Sequence, residues 1–246
     1  MKIGILETGP VSPKLKKKFG TYGHMFQELI ARVTHKPVFE EFDIIESHFP
    51  NSPIDADLWF ITGSKFGVYD ELPWLEPLKC FLVNCIGKNI PVIGVCFGHQ
   101  ILAEALGGKV TKFDRGWGLG VHEYEILKTP NWIYDLKKSF KGYAVHQDQV
   151  IVNPPNATRI AGSSFCKNAM LAYGNIESPH AISIQSHPEL SGEFVSALIK
   201  LNRNNPYPEL LADIALKNIN QKVDSHKITE LMINAVTQGV SKGLFT

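Results

Sequence analysis

The stretch from Ile90 to Gly98, I-P-V-I-G-V-C-F-G, leaves the backbone few paths. Pro91 to Val95 is short, apolar and rich in β-branched residues, which predicts a buried strand, whereas Ile101 to Leu106 carries apolar residues at helical spacing. Cys96 therefore falls on the turn between strand and helix. So tight a turn would drive side chains two places either side of its apex into collision, and Gly94 and Gly98 stand at those two places. This is the G-x-nucleophile-x-G elbow with cysteine in place of serine. It lifts the thiol above the sheet edge at a helix N-terminus. Unpaired amide N–H groups and the positive end of the helix dipole there favour a thiolate and a developing oxyanion.

With 246 residues and 44% hydrophobic content, the chain can bury a substantial core in one large domain or two small ones. Its 25 basic residues against 24 acidic ones leave no global field to hold nucleic acid or an anionic membrane, so the partners expected are small molecules or proteins. Cys80, Cys85, Cys96 and Cys166 lack the spacing of a disulfide framework, and reduced thiols in the cytoplasm are expected. Cys80 and Cys85 fall in a helical pattern with no second close pair, so they read as packed residues and no metal site is expected. Met1 to Thr8 begins directly with a strand pattern, and no run of eighteen apolar residues occurs, so neither export nor a membrane span is expected.

Lys2 to Leu6 predicts a first strand and Tyr22 to Val33 a helix, with Gly9 to Gly23 between them read as a solvated, lysine-rich loop. Strands at Val38 to Ile45 and Asp57 to Thr62, a helix at Leu72 to Ile86 and then the elbow strand complete an alternation that implies a parallel sheet with helices on both faces. After the elbow helix the pattern turns to short strands at Lys109 to Thr111, Gly120 to Leu127, Gly142 to His146, Thr158 to Ala161, Ala169 to Tyr173 and Ala181 to Gln185. These read as a small additional strand layer of the same domain. G-W-G-L-G at 116–120 is not a dinucleotide fingerprint, because no helix opens after it; it reads as a turn feeding a strand. From Glu193 onward the pattern is helical again, with a break at Asn204 to Pro208.

A nucleophilic thiol needs a base, and the base needs an orienting group. His187 follows the strand A-I-S-I-Q-S at its carboxyl end, where α/β folds assemble their sites, and Glu189 comes two residues later. In extended backbone, residues i and i+2 point the same way, and Pro188 stiffens the segment between them. The carboxylate can thus reach one imidazole nitrogen and leave the other facing Cys96. An isolated H-P-E would be an exposed loop pair; beside the elbow it has the logic of a triad in the order Cys, His, Glu.

Together, G-V-C-F-G-H-Q at 94–100 and S-H-P-E at 186–189 resemble the class I glutamine amidotransferase family, over about Met1 to Leu190. The resemblance implies a flavodoxin-like, mostly parallel sheet with helices on both faces, carrying Cys96, His187 and Glu189 as the catalytic residues. It implies hydrolysis of the glutamine side-chain amide through a γ-glutamyl thioester, with ammonia and glutamate as products and no cofactor. It also implies an oxyanion hole from the N–H of Phe97 and one from the Thr62-Gly63-Ser64 loop, which departs from the family's Gly-Gly-Pro form and leaves the donor open between Gly63 and Ser64. Gln100 is expected to help hold the glutamyl group or else to cap the helix. A-V-H-Q-D-Q-V at 144–150 is similar to the family's pocket segment S-H-x-D-x-V with Val145 for serine, and makes His146 and Asp148 pocket neighbours or members of a satisfied turn. His99 reads as a packed or surface residue.

No P-loop or S-G-G-x-D-S loop occurs, so no ATP site is visible. The layout is most similar to stand-alone proteins related to the amidotransferase domain of GMP synthetase, some of which are γ-glutamyl peptidases. Three functions stay open: glutamine hydrolysis, with a separate synthase subunit serving as ammonia acceptor or without one; cleavage of glutathione-like γ-glutamyl compounds; and a non-catalytic interaction subunit, which the intact triad argues against. The expected organisation is an amidotransferase domain at 1–205 and a helical extension at 206–246, packed on that domain, on a docking partner or on a second copy in a homodimer.

Overall fold

The structure is a computed structural model and describes residues 1–243. Its first half runs β1 (Lys2–Glu7), α1 (Pro13–Phe19), α2 (Tyr22–Val33), β2 (Val38–Asp43), β3 (Leu58–Ile61), α3 (Leu75–Gly87), β4 (Val92–Val95) and α4 (Phe97–Ala105). Then follow β5 (Lys109–Lys112), β6 (Gly118–Ile126), β7 (Ser139–His146), β8 (Asp148–Val152), β9 (Ala157–Gly162), β10 (Met170–Tyr173), β11 (Ala181–Ile184), α5 (Gly192–Leu201), α6 (Glu209–Asn218) and α7 (Ser225–Gly243).

Nine strands form one sheet in the order β2-β1-β3-β4-β11-β10-β9-β6-β7. From β2 to β11 neighbours are parallel; from β11 to β7 they are antiparallel. The late strands thus mostly extend the main sheet, and only β5 and β8 pair as a separate two-stranded sheet. Alternation along the parallel strands sorts side chains between two cores. Ile3, Ile5, Leu58, Phe60, Ile93, Val95, Ile182 and Ile184 face α2 and α7, while Leu6, Trp59, Ile61 and Val92 face α3 and α4.

The helices follow from their sequences. Thr21 caps α2, its Oγ1 accepting from the His24 N–H at 3.0 Å, a contact worth about 1 kcal/mol. The same helix buries Met25, Phe26, Leu29 and Ile30 at helical spacing, at roughly 1.5–3 kcal/mol for each large side chain. The segment expected as a lysine-rich loop contains α1 instead. Pro13 supplies the preset φ of a first turn, Leu15 is buried, and Lys16, Lys17 and Lys18 lie in the last turn, where the helix dipole favours cations. At the other end of the chain, α7 packs on α2 and the sheet through Ile228, Leu231, Met232, Ala235 and Val236. Helix α6 lies on β6, where a Cβ at Gly120 would come within 2.9 Å of Ala215. Residues 244–246 of the expected extension lie outside the described residues.

Candidate active site

The elbow is built as its glycines require. A Cβ on Gly94 would sit 2.4 Å from the Gly98 carbonyl oxygen, and one on Gly98 would sit 2.4 Å from that of Ile61. Cys96 stands between them at φ 53° and ψ −102°, a region that costs a non-glycine residue about 1–3 kcal/mol. It is held there by its own N–H to the Ile184 carbonyl, 2.9 Å, while the Gly98 N–H reaches the Thr62 carbonyl at 3.2 Å. Helix α4 starts at Phe97, earlier than the apolar spacing suggests, and so places the Phe97 N–H in the first turn, where amides have no intrahelical partner.

His187 leaves the end of β11 and bridges to β7, its N–H donating to the Tyr143 carbonyl at 2.8 Å. Its Nδ1 donates to Glu189 Oε1 at 2.6 Å, with both side chains buried. Burial by itself would lower the imidazole pKa. Charge and hydrogen bonding from Glu189 and Cys96 outweigh it and hold the pKa well above the ordinary histidine range. Gly63 lies against both groups, since a Cβ there would be 2.8 Å from His187 Cε1 and 3.7 Å from Cys96 Cβ. The loop is anchored behind that point: Thr62 Oγ1 accepts from the Thr8 N–H at 3.0 Å, and the Thr8 hydroxyl donates to the Thr62 carbonyl at 3.1 Å. Ser64 turns its hydroxyl back onto its own loop, accepting from the Phe66 N–H at 3.2 Å.

Gln100, His146 and Asp148 form a second group. Gln100 Nε2 donates to the Asp148 carbonyl at 2.9 Å and to Gln185 Oε1 at 3.2 Å, so its side chain ties α4 to β8 and to the end of β11 and does not cap its own helix. His146 Nδ1 donates to the same carbonyl at 3.2 Å. Burial, with a smaller effect from His122, pushes its pKa down to about 3 and keeps the ring neutral. The Asp148 carboxylate accepts from the Tyr69 hydroxyl at 2.8 Å. Nothing in the sequence marks Tyr69, which lies 79 residues away. His99 is packed as expected, bonded through Nδ1 to the Ser183 hydroxyl at 2.7 Å, which meets the Tyr173 hydroxyl at 2.9 Å. Its burial likewise lowers its pKa to about 3. Cys85 is buried and Cys80 exposed, so only one of that pair is a packed residue.

A thiol on a strand-to-helix turn, with an imidazole and a carboxylate beside it at the carboxyl edge of an α/β sheet, is an arrangement chemically able to attack a carbonyl covalently. The model of class-I glutamine amidotransferases matches residues 21–199, and the chain belongs to that family. It is 29% identical to γ-glutamyl peptidase 5 of Arabidopsis thaliana over 195 residues, 75% of this chain and 74% of that one. Over 103 residues, 42% of this chain and 55% of the relative, it is 36% identical to one of the subunits of the glutamine-hydrolysing GMP synthase of Methanothrix thermoacetophila. A glutamine amidotransferase of Thermotoga maritima superposes with a TM-score of 0.73 at 19% identity, covering 96% of this chain and 98% of that one, which shows a shared fold. Among the described residues no helix is long and apolar enough to cross a membrane.

Proposed function

We propose that the chain hydrolyses γ-glutamyl amides through a thioester on Cys96, with glutamine as the substrate. The observation that carries this reading is the convergence of the Cys96 elbow, the Glu189-bound imidazole of His187 and the Gly63 loop on one point. The Cys96 thiolate attacks the γ-carbonyl carbon, and the carbonyl electron pair moves to oxygen. That oxyanion is met by the Phe97 N–H and by one from Gly63 or Ser64. His187, protonated at Nε2, gives that proton to the departing nitrogen, the C–N bond breaks, and ammonia leaves. A water molecule then loses a proton to His187 and attacks the thioester; collapse of the second tetrahedral intermediate releases glutamate and restores the thiolate. Glu189 holds Nδ1–H throughout, fixing the tautomer and ring orientation. In this reading Gln100, His146 and Asp148 border the glutamyl group. No step requires a metal or organic cofactor. Four free thiols support a reducing compartment such as the cytoplasm.

A second reading, cleavage of γ-glutamyl peptides, is favoured by the relatives of that name, which match this chain over three quarters of its length. The test is to incubate the purified protein with glutamine and separately with glutathione, measuring free ammonia and glutamate while following Cys96 by mass spectrometry. Ammonia from glutamine, lost in Cys96→Ala, is the expected result. Glutamate from glutathione without ammonia from glutamine would replace the first reading with the second, and full activity in Cys96→Ala would end both.

A further inference from the structure

Thr8 stands just past β1 and Thr62 just past β3, and both are fully buried. Their polar groups interlock. The Thr8 N–H donates to Thr62 Oγ1 at 3.0 Å, and the Thr62 hydroxyl in turn donates to the Gly63 carbonyl at 3.1 Å. The Thr8 hydroxyl donates to the Thr62 carbonyl at 3.1 Å and stands 3.2 Å from Thr62 Oγ1 and 3.4 Å from the Gly63 carbonyl oxygen. Gly9 completes the seat, since a Cβ there would lie 2.9 Å from Ser64 Cα and 3.1 Å from the same Gly63 oxygen.

Fixing a carbonyl fixes the amide behind it. Both peptide bonds are trans and planar, so each N–H points opposite to the carbonyl of the preceding residue. The Thr62 carbonyl receives the Gly98 N–H from the first turn of α4, so the Gly63 N–H points away from that turn and from the Phe97 N–H within it. The Gly63 carbonyl faces Thr8 and Gly9 at the end of β1, so the Ser64 N–H points away from β1. In the sheet β1 flanks β3 on one side and β4, which carries Cys96 at its end, flanks it on the other. The Ser64 N–H therefore points to the Cys96 side, and among the described residues no acceptor meets it.

This inference rests on the function proposed above. We propose that Thr8 is a positioning residue for acylation of Cys96: with Thr62 it holds the Gly63 carbonyl against β1 and so aims the Ser64 N–H at the oxyanion. Thr8 touches no reacting atom and acts through one peptide plane.

The test compares wild type with Thr8→Val, Thr8→Ala and Thr8→Ser, all in a Cys80→Ser background that removes the exposed thiol. Thr8→Val strands no buried group, because the Thr62 carbonyl keeps Gly98 and the Gly63 carbonyl keeps Thr62. A methyl group, however, cannot replace the hydroxyl at 3.1, 3.2 and 3.4 Å from three oxygens without moving them. Three rates are read. One is the burst of p-nitrophenolate as p-nitrophenyl acetate acetylates Cys96, which passes through an oxyanion; another is alkylation of Cys96 by iodoacetamide, which does not; the last is glutamine hydrolysis, as kcat and KM. Thr8→Val is expected to lower the burst rate and kcat about tenfold, part of the roughly 10²–10³-fold cost of removing an oxyanion donor outright, with alkylation and KM within about twofold of wild type. Thr8→Ser, which keeps the hydroxyl, is expected to stay within about twofold in all three. If Thr8→Val does not fold, Thr8→Ala is read in its place. A burst absent from wild type or unchanged in Thr8→Val would overturn the proposal. So would a burst and an alkylation rate that fall by one common factor, which would make Thr8 a packing residue. Neither reagent carries a γ-glutamyl group, so if wild type released no ammonia from glutamine, the functional reading would fall while the ratio of burst to alkylation still decided the role of Thr8.

Discussion

Cys96 and His187 reach the same point by different means. The thiol is fixed by backbone: two glycines that admit no Cβ, a positive φ, and main-chain bonds from Cys96 to Ile184 of β11 and from Gly98 to Thr62 just past β3. The imidazole is fixed by side chains: one main-chain bond to Tyr143 aims its segment, and the Glu189 carboxylate sets the ring. The difference teaches that the thiol cannot be misplaced without damaging the sheet, whereas the imidazole can be disoriented by changing a single side chain.

That contrast breaks most visibly at the base. In the proposed mechanism His187→Ala should lower kcat by about 10⁶-fold, and Glu189→Gln by about 10⁴-fold, because there the carboxylate orients the proton carrier and does not itself carry the proton. Glu189→Gln, which keeps a polar partner for Nδ1–H, should melt within a few degrees of wild type by calorimetry, whereas His187→Ala strands the buried carboxylate and should melt lower. Equal losses in kcat would remove the division of roles. At the nucleophile the order reverses. Gly94→Ala drives a methyl group into the Gly98 carbonyl and should cost about 4 kcal/mol of stability by urea unfolding, whatever it does to activity. A loss under about 1 kcal/mol would mean that the elbow relaxes more easily than its contacts imply.

Acid and alkali should separate the two kinds of histidine. His99 and His146 have folded pKa values pushed down to about 3, so the unfolded chain binds more protons than the native one below about pH 6.5. Each should then remove about 1.4 kcal/mol of stability per pH unit as the pH falls from there towards 3. His187 has the opposite sign. Its folded pKa is raised, so its contribution is complete below about pH 6.5 and is lost as pH climbs through the raised value. Urea midpoints measured across pH should flatten on the acid side in His146→Gln and on the alkaline side in His187→Gln; a reversed pattern would contradict the burial and pairing described for these rings.

Legibility in the sequence followed the distance between partners. The elbow could be read because its steric condition falls two residues either side of Cys96, and His187 with Glu189 because only Pro188 separates them. Tyr69 against Asp148, the chain His99–Ser183–Tyr173 and the edge-on ring pair of Trp117 and Tyr207 join residues far apart in sequence, so no local pattern announces them. Helix α1 escaped because Leu15 is its one buried side chain among lysines, and β8 because its last two residues, Ile151 and Val152, face solvent. The join between parallel and antiparallel halves was hidden for a related reason: short strands read the same whether they extend one sheet or start another.

The conformation of Cys96 has a further meaning for how such a protein tolerates change. An L-residue at φ 53° and ψ −102° sits uphill, and the main-chain bonds and packed helices around the turn hold it there. Substitutions that loosen that surrounding packing lower overall stability and also release the thiol from the posture that the proposed chemistry needs. In the proposed mechanism robustness and reactivity are therefore coupled through a single peptide unit, and drift in the apolar residues behind the elbow has to satisfy both.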